Sequence, residues 1–330
     1  MSELNRRITL AKRPVGQVAP DCFASDEVEI PTPGQGEALV KVGWLSIDPT
    51  IRGWMAMDTY LPAIEIGAPI RSGGLGEVIE SNNDAYPVGS TLFGMTGWQE
   101  YAIMGAGSNL IPDGIDPTAA LSVFGVTGLT AYFGLLDVGQ PLAGETVLVS
   151  GAAGATGSVV GQIARIKGCR VVGIAGSDEK CAWLVDELGF DAAINYRTEH
   201  VGKAIRAACP KGVDVFFDNV GGDILEAGIA NLALRGRIVL CGAIATYNDD
   251  TPRPGPNNLS VLISKRGRME GFIILDYMNR ANEAIGELAG WVMGGELKFA
   301  VDVVDGLDNA PVALDRLFTG ANQGKVMVRL

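Results

Sequence analysis

The feature that most constrains this chain is a rhythm that starts near Val126. Short, continuous apolar runs, "TVLVS", "CRVVGIAG", "DAAIN", "VDVFFD" and "GRIVLCG", are interleaved with the helical patterns "SVVGQIARIKG", "DEKCAWLVDELG" and "DILEAGIANLAL". Strands with one wet face alternate polar and apolar residues; unbroken Val/Ile/Leu runs belong to strands covered on both faces. Strand, crossover helix and parallel strand, repeated, build a doubly wound α/β sheet. Residues 126–295 are therefore expected to form one such domain, with "VTGLTAYFGLL" as its leading helix and "EAIGELAGWVMGG" as its last.

The preceding residues have a different texture. "GEALVKVGWLSI", "GLGEVIES" and "STLFGMTGWQEYAIM" read as strands separated by Gly/Pro turns, the look of a compact β-rich barrel. The tail, "KFAVDVV" and "GKVMVRL", returns to strands. At 330 residues the chain exceeds one ordinary hydrophobic core. Two domains are expected: 1–125 with 296–330, and 126–295. "NDDTPRPGPNN" reads as a surface loop.

Charge and composition exclude several partners. A net charge of −12 argues against nucleic acid and anionic membrane as main partners. The start, "MSELNRRITLAKRP", lacks the apolar core of a secretory signal, and no apolar run is long enough to span a bilayer. The five cysteines form no CxxC or other close cluster, which suits reduced thiols in a cytoplasm. His200 is the only histidine.

"TVLVS" runs directly into "GAAGATGS", and a helical pattern follows. A strand, a glycine turn and a helix start present backbone N–H groups and a positive helix end to a pyrophosphate. Gly154 lets the backbone approach the anion and Gly157 lets helix and strand pack closely, in a G-x-x-G-x-x-G spacing. A tight structural turn is the other reading. At the end of the next strand stands Gly176, where an NAD site places an acid for the ribose hydroxyls. Asp178 lies about 20 residues beyond the turn, the offset of such an acid. It follows Ser177, however, and reads as first-turn helix chemistry with Ser177 as cap. Lys180 offers a point charge to a 2′-phosphate. This local chemistry favours NADP over NAD.

"SGAAGATGSVVGQIARIKGC", "AGSDEK", "ELGFDAAINY", "FDNVGG", "CGAIATYN", "RMEGF" and "GANQGK" together resemble the zinc-independent medium-chain dehydrogenase/reductase superfamily. Within it they are similar to the branch of prostaglandin, alkenal double-bond and curcumin reductases, over nearly the whole chain. The resemblance implies a Rossmann core with a β-rich GroES-like barrel domain, a homodimer and NADP(H). By motif it places the pyrophosphate on Gly154, Ala155, Thr156 and Gly157, and the 2′-phosphate region on Lys180 and Tyr196. Asn219 and the loop Cys241, Gly242, Ala243, Ile244, Ala245, Thr246 and Tyr247 would line ribose and nicotinamide. Phe272, Ile273, Ile274 and Asn322 would complete the groove. Read without the resemblance, Asn219 is a turn residue, Phe272–Ile274 are core, Asn322 ends a helix and Tyr196 is a half-buried aromatic.

Metal-dependent relatives carry a His-Glu pair where this chain has "GGLGEV", which keeps Glu77 but has no histidine; no cysteine quartet exists either. No zinc ligand set is expected. Without a Lewis acid, the easier hydride acceptor is a carbon–carbon double bond conjugated to a carbonyl, whose enolate then needs hydrogen-bond donors. This matches the branch's NADPH-dependent reduction of small apolar enones and enals. Quinone reduction is a neighbouring possibility, and a non-catalytic NADPH-binding protein, like the crystallins of the superfamily, a third. Candidate donors are Tyr60, on the substrate side by resemblance, and Tyr247. Tyr60 reads equally as a loop tyrosine packed on Pro62. Arg52, in the same loop region, is a third candidate, or holds that loop through Asp48 or Asp58. Trp54, Met55 and Met57 are core residues or walls of an apolar substrate site. Eukaryotic relatives carry a tyrosine at the position of Ser264.

Overall fold

The computed structural model describes residues 4–251 and 253–330. Residues 1–3 of the first expected domain and Pro252 of the Pro-rich loop lie outside them. The chain divides into two compact units, one of Met1–Leu121, Tyr247–Asp250 and Val301–Leu330, the other of Ser122–Thr246 and Thr251–Ala300.

The first unit opens with β1 (Leu4–Leu10) and β2 (Phe23–Glu29), an antiparallel pair. There follow β3 (Ala38–Ser46), the short helix α1 (Thr50–Ala56), β4 (Gly73–Ser81), β5 (Thr91–Met95), β6 (Tyr101–Met104), β7 (Asn109–Ile111) and α2 (Pro117–Leu121). The expected strand "STLFGMTGWQEYAIM" is two strands, because the chain bends between them at Gly97, whose φ of 66° suits glycine. "DPTIRGWM", expected as loop, starts a helix: Ile51 and Met55, four apart, fall on one face and are fully buried.

The second unit begins with α3 (Val126–Phe133), which continues as a π-helical turn over Gly134–Gly139. Then alternate β8 (Thr146–Val149), α4 (Ala155–Ile166), β9 (Arg170–Ala175), α5 (Asp178–Asp186), β10 (Ala192–Asn195), α6 (Val201–Ala208), β11 (Val213–Asp218), α7 (Gly222–Ala230) and β12 (Leu232–Leu240). α8 (Ser260–Lys265), β13 (Arg268–Gly271) and α9 (Ala281–Met293) close the unit. Its sheet is wholly parallel, in the order β10-β9-β8-β11-β12-β13. Counted from β8 this is 3-2-1-4-5-6, the Rossmann order, with its switch point between β8 and β11. "DILEAGIANLAL" is helical only to Ala230; its last three residues open β12 instead.

The chain returns to the first unit with β14 (Val301–Asp305), α10 (Ala310–Thr319) and β15 (Lys325–Arg329). β15 runs parallel to β14 and antiparallel to β3, completing a seven-stranded mixed sheet, so the last residues form part of the sheet begun near residue 38. One core packs inside this unit around Leu45, Ile47, Trp98, Leu314 and Val328; another packs between sheet and helices of the second around Leu148, Val172, Phe216 and Ile229. Each such side chain, fully buried, contributes roughly 1.5–3 kcal/mol.

Candidate active site

The switch point of the parallel sheet is where a doubly wound fold binds its ligand. There β8 ends at Val149, and the chain turns through Ser150 and Gly151, the latter at φ 56°, to Gly154, the N-cap of α4. No side chain caps α4. The backbone N–H groups of its first turn, Ala155, Thr156 and Gly157, therefore keep the donor capacity of an uncapped helix start. A Cβ on Gly157 would lie 2.4 Å from the carbonyl oxygen of Gly151, a backbone atom that cannot swing away. One on Gly154 would stand 3.2 Å from the same oxygen. Gly157 thus allows the first turn of α4 to lie hard against Gly151 and Ala152 of the glycine turn.

A buried network holds the floor of this turn. Asp218, the last residue of β11, is fully buried. It accepts from the Ser150 hydroxyl at 2.6 Å and from the N–H groups of Val220 and Gly221 at 3.1 and 3.0 Å. Burial raises its pKa, against these hydrogen bonds, which favour the charged form. Asn219 donates its backbone N–H to the Ser150 hydroxyl and its side-chain amide to the Ser150 carbonyl. The Asp218 carbonyl accepts from Cys241 and Gly242, the first residues after β12. Ile244 and Ala245 donate to the carbonyls of Asn219 and Val220, and the Thr246 hydroxyl and N–H to that of Ala243. The "FDNVGG" turn and the Cys241–Thr246 loop are consequently one bonded layer above β8, β11 and β12. Burial, with Asp218 adding to it, pushes the Cys241 thiol up to about 12, so it stays protonated.

Beyond β9 the chain passes Gly176 into α5. The Ser177 side chain caps this helix by accepting from the Lys180 N–H at 3.2 Å, and Asp178 accepts from the Asn195 amide at 2.7 Å. A Cβ on Gly176 would lie 2.9 Å from the Tyr196 hydroxyl. Gly176, the first turn of α5 with Lys180, and the half-exposed Tyr196 are thus neighbours. Phe272 meets Phe217 and Tyr277 edge-on, with ring centroids 6.4 and 6.2 Å away, and fills the space that a Cβ on Gly134 would need. Ile273 and Ile274 are half-buried beside it.

The remaining candidates belong to the first unit. Tyr60 follows α1 and lies edge-on to Trp54, the ring centroids 6.1 Å apart. It is 44% exposed, and partial burial, with the oxygens of Tyr247 and Asp48, outweighs Thr50 in raising its pKa above the usual phenol value. Arg52 is only 4% exposed. It bonds neither Asp48 nor Asp58, the partners its spacing suggests: Asp48 pairs with buried Lys325 at 2.6 Å, and Asp58 accepts from the Ala63 N–H. Met55 is core, Trp54 is nearly buried and Met57 is exposed. Asn322 is buried and donates to the Gly324 carbonyl at 3.1 Å. Ser264 is exposed and donates back to the Val261 carbonyl within α8.

Residues 6–112 match a family described as the N-terminal domain of oxidoreductase, and residues 155–290 one described as zinc-binding dehydrogenase. The chain is 40% identical to the NADPH-dependent curcumin reductase of Escherichia coli over 99% of its length and 97% of that protein's. It is 40% identical to the NADP(+)-dependent 2-alkenal reductase of Nicotiana tabacum, over 89% and 88% of the two chains. The crystal structure of CurA from Vibrio vulnificus in complex with NADPH superposes with a TM-score of 0.94 at 40% identity, covering 98% of both chains. The chain belongs to the medium-chain dehydrogenase/reductase superfamily.

Among the described residues no group of three His, Cys, Asp or Glu side chains is placed to hold a metal. No helix of the described residues is long and apolar enough to cross a membrane. The organising role of Ser150 and Asp218 escaped the sequence reading, although both stand in the quoted motifs. The signal was a hydroxyl at one strand end and an acid at another, on strands that pair only in the folded sheet.

Proposed function

We propose that this chain reduces the carbon–carbon double bond of small apolar α,β-unsaturated ketones and aldehydes with NADPH. The observation that carries this reading is its likeness, over nearly the whole length, to reductases named for curcumin and 2-alkenals. NADPH, when bound, supplies the hydride. The first-turn N–H groups of Ala155, Thr156 and Gly157 would hold its pyrophosphate, and Lys180 and Tyr196 its 2′-phosphate. Asn219 and the layer Cys241–Thr246 would orient ribose and nicotinamide. Tyr60 and Tyr247 are the phenols assigned to the substrate oxygen; a donor there stabilises the enolate charge as it develops. With its pKa raised, Tyr60 holds its proton through neutral pH.

Two features support a homodimer and a cytoplasmic setting. β13 is an edge of the parallel sheet, and exposed Leu259, Ile263 and Leu275 flank it in sequence, as a surface covered by a second copy would. All five cysteines are free. The deciding experiment follows NADPH oxidation with a panel of enones, quinones and alcohols. Enones should react fastest. Faster quinones would replace the substrate class, and silence across the panel would favour a cofactor-binding protein without turnover.

A further inference from the structure

Arg52 is a nearly buried guanidinium. Among the described residues no Asp or Glu lies within ion-pair distance of it, and burial lowers its pKa. Its bonds go to neutral oxygens from two remote parts of the chain. Nη2 donates to the carbonyl of Gly16 at 2.8 Å, and Nε to the side-chain oxygen of Asn248 at 3.2 Å. A Cβ on Gly16 would meet the Asn248 carbonyl at 3.9 Å, so these two segments also lie against each other. Asn248 sits in Tyr247–Asp250, a four-residue stretch that groups with the first unit although the chain on both sides of it belongs to the second.

We propose that Arg52 is a positioning residue, whose fork seats Asn248 and thereby fixes the adjoining Tyr247 within the first unit. The proposal rests on the enone-reductase reading for what Tyr247 does, not for the clamp itself. A guanidinium has N–H groups at fixed angles, which allows one side chain to bind two separate segments; a lysine ammonium has no such fork. Neutral acceptors leave the geometry to hydrogen bonding rather than to charge pairing. Arg52 thus acts through Asn248 and need not touch substrate.

The test compares Asn248→Ala, Asn248→Asp, Arg52→Lys, Tyr247→Phe and the double variant Asn248→Ala/Tyr247→Phe. Amide hydrogen exchange over residues 246–250 and kcat with an aliphatic enone are read in parallel. Asn248→Ala and Arg52→Lys should both speed exchange in that stretch. They should lower kcat about tenfold, the scale of one lost hydrogen bond to a charged group. Asn248→Asp, which keeps an acceptor for Arg52, should restore both readouts, and the double variant should be no slower than Tyr247→Phe alone. Unchanged exchange in Asn248→Ala, or fully additive losses in the double variant, would overturn the proposal. If the wild type reduces no enone, the functional reading fails while the exchange comparison still decides the clamp.

Discussion

The Ser150 hydroxyl donates a 2.6 Å hydrogen bond to Asp218, joining the ends of two paired strands beneath the glycine turn. Because Asp218 is fully buried with a raised pKa, the folded chain binds its proton more tightly than the unfolded chain. Between the ordinary aspartate value and the raised one, the native state therefore carries more protons, and stability falls as pH rises through that window. Thermal unfolding followed across the acid range should show wild-type stability falling relative to that of Asp218→Asn as pH rises. An identical pH profile for the two proteins would remove Asp218 as its source.

The two glycines of the turn should respond differently to a methyl group. Gly157→Ala sets a Cβ 2.4 Å from the Gly151 oxygen, so the turn or α4 must shift, at about 1–3 kcal/mol. Gly154→Ala meets the same oxygen at 3.2 Å and needs a displacement of a few tenths of an ångström; its φ of −83° suits alanine. Denaturant titrations should show a marked loss for the first and a small one for the second. Equal losses would contradict the packing role given to Gly157.

Much of this was legible in sequence because it is local. The unbroken apolar runs named five of the six parallel strands, β8 to β12, while β13, "RMEG", has no such run, and the residues around Gly154 sit on consecutive positions. What escaped depends on remote partners or on short elements with few buried residues. α6 is only eight residues long, and its apolar stripe is Val201, Ala204, Ile205 and Ala208, two of them alanines and only Ile205 fully buried, so "VGKAIRAA" carries a short and weak signal. The start of β12 is hidden because Arg235, at φ 62°, and Gly236 interrupt its pattern, and its pairing with β11 shifts register there. For Arg52 the spacing offered Asp48 or Asp58 as the alternative to a substrate-side role; its partners lie 36 and 196 positions away.

Selectivity for the phosphorylated coenzyme should reside at α5. Gly176 offers no acid to ribose hydroxyls, and Lys180 stands in the first turn after it. Lys180→Ala should weaken NADPH binding by roughly 10- to 100-fold, the loss of one charge-assisted hydrogen bond of about 1.5–3 kcal/mol, while sparing NADH. Fluorescence titration of both coenzymes measures the ratio directly. A variant that loses neither, or both equally, would place the 2′-phosphate elsewhere.

Tyr60 gives the sharpest test of the assigned chemistry. Its hydroxyl is held above the ordinary phenol value, so across the neutral and mildly alkaline range it remains a donor and contributes no titration to kcat. Tyr60→Phe removes that donor while leaving the ring against Trp54, so the fold should be kept. The expected result is a loss of kcat approaching about 10²-fold, as for other donors to a developing oxyanion, with NADPH affinity unchanged. The pH profile of the wild type should stay flat until the raised phenol begins to ionise, then fall. Full activity in Tyr60→Phe would pass the role to Tyr247, whose own phenylalanine variant would then carry the loss.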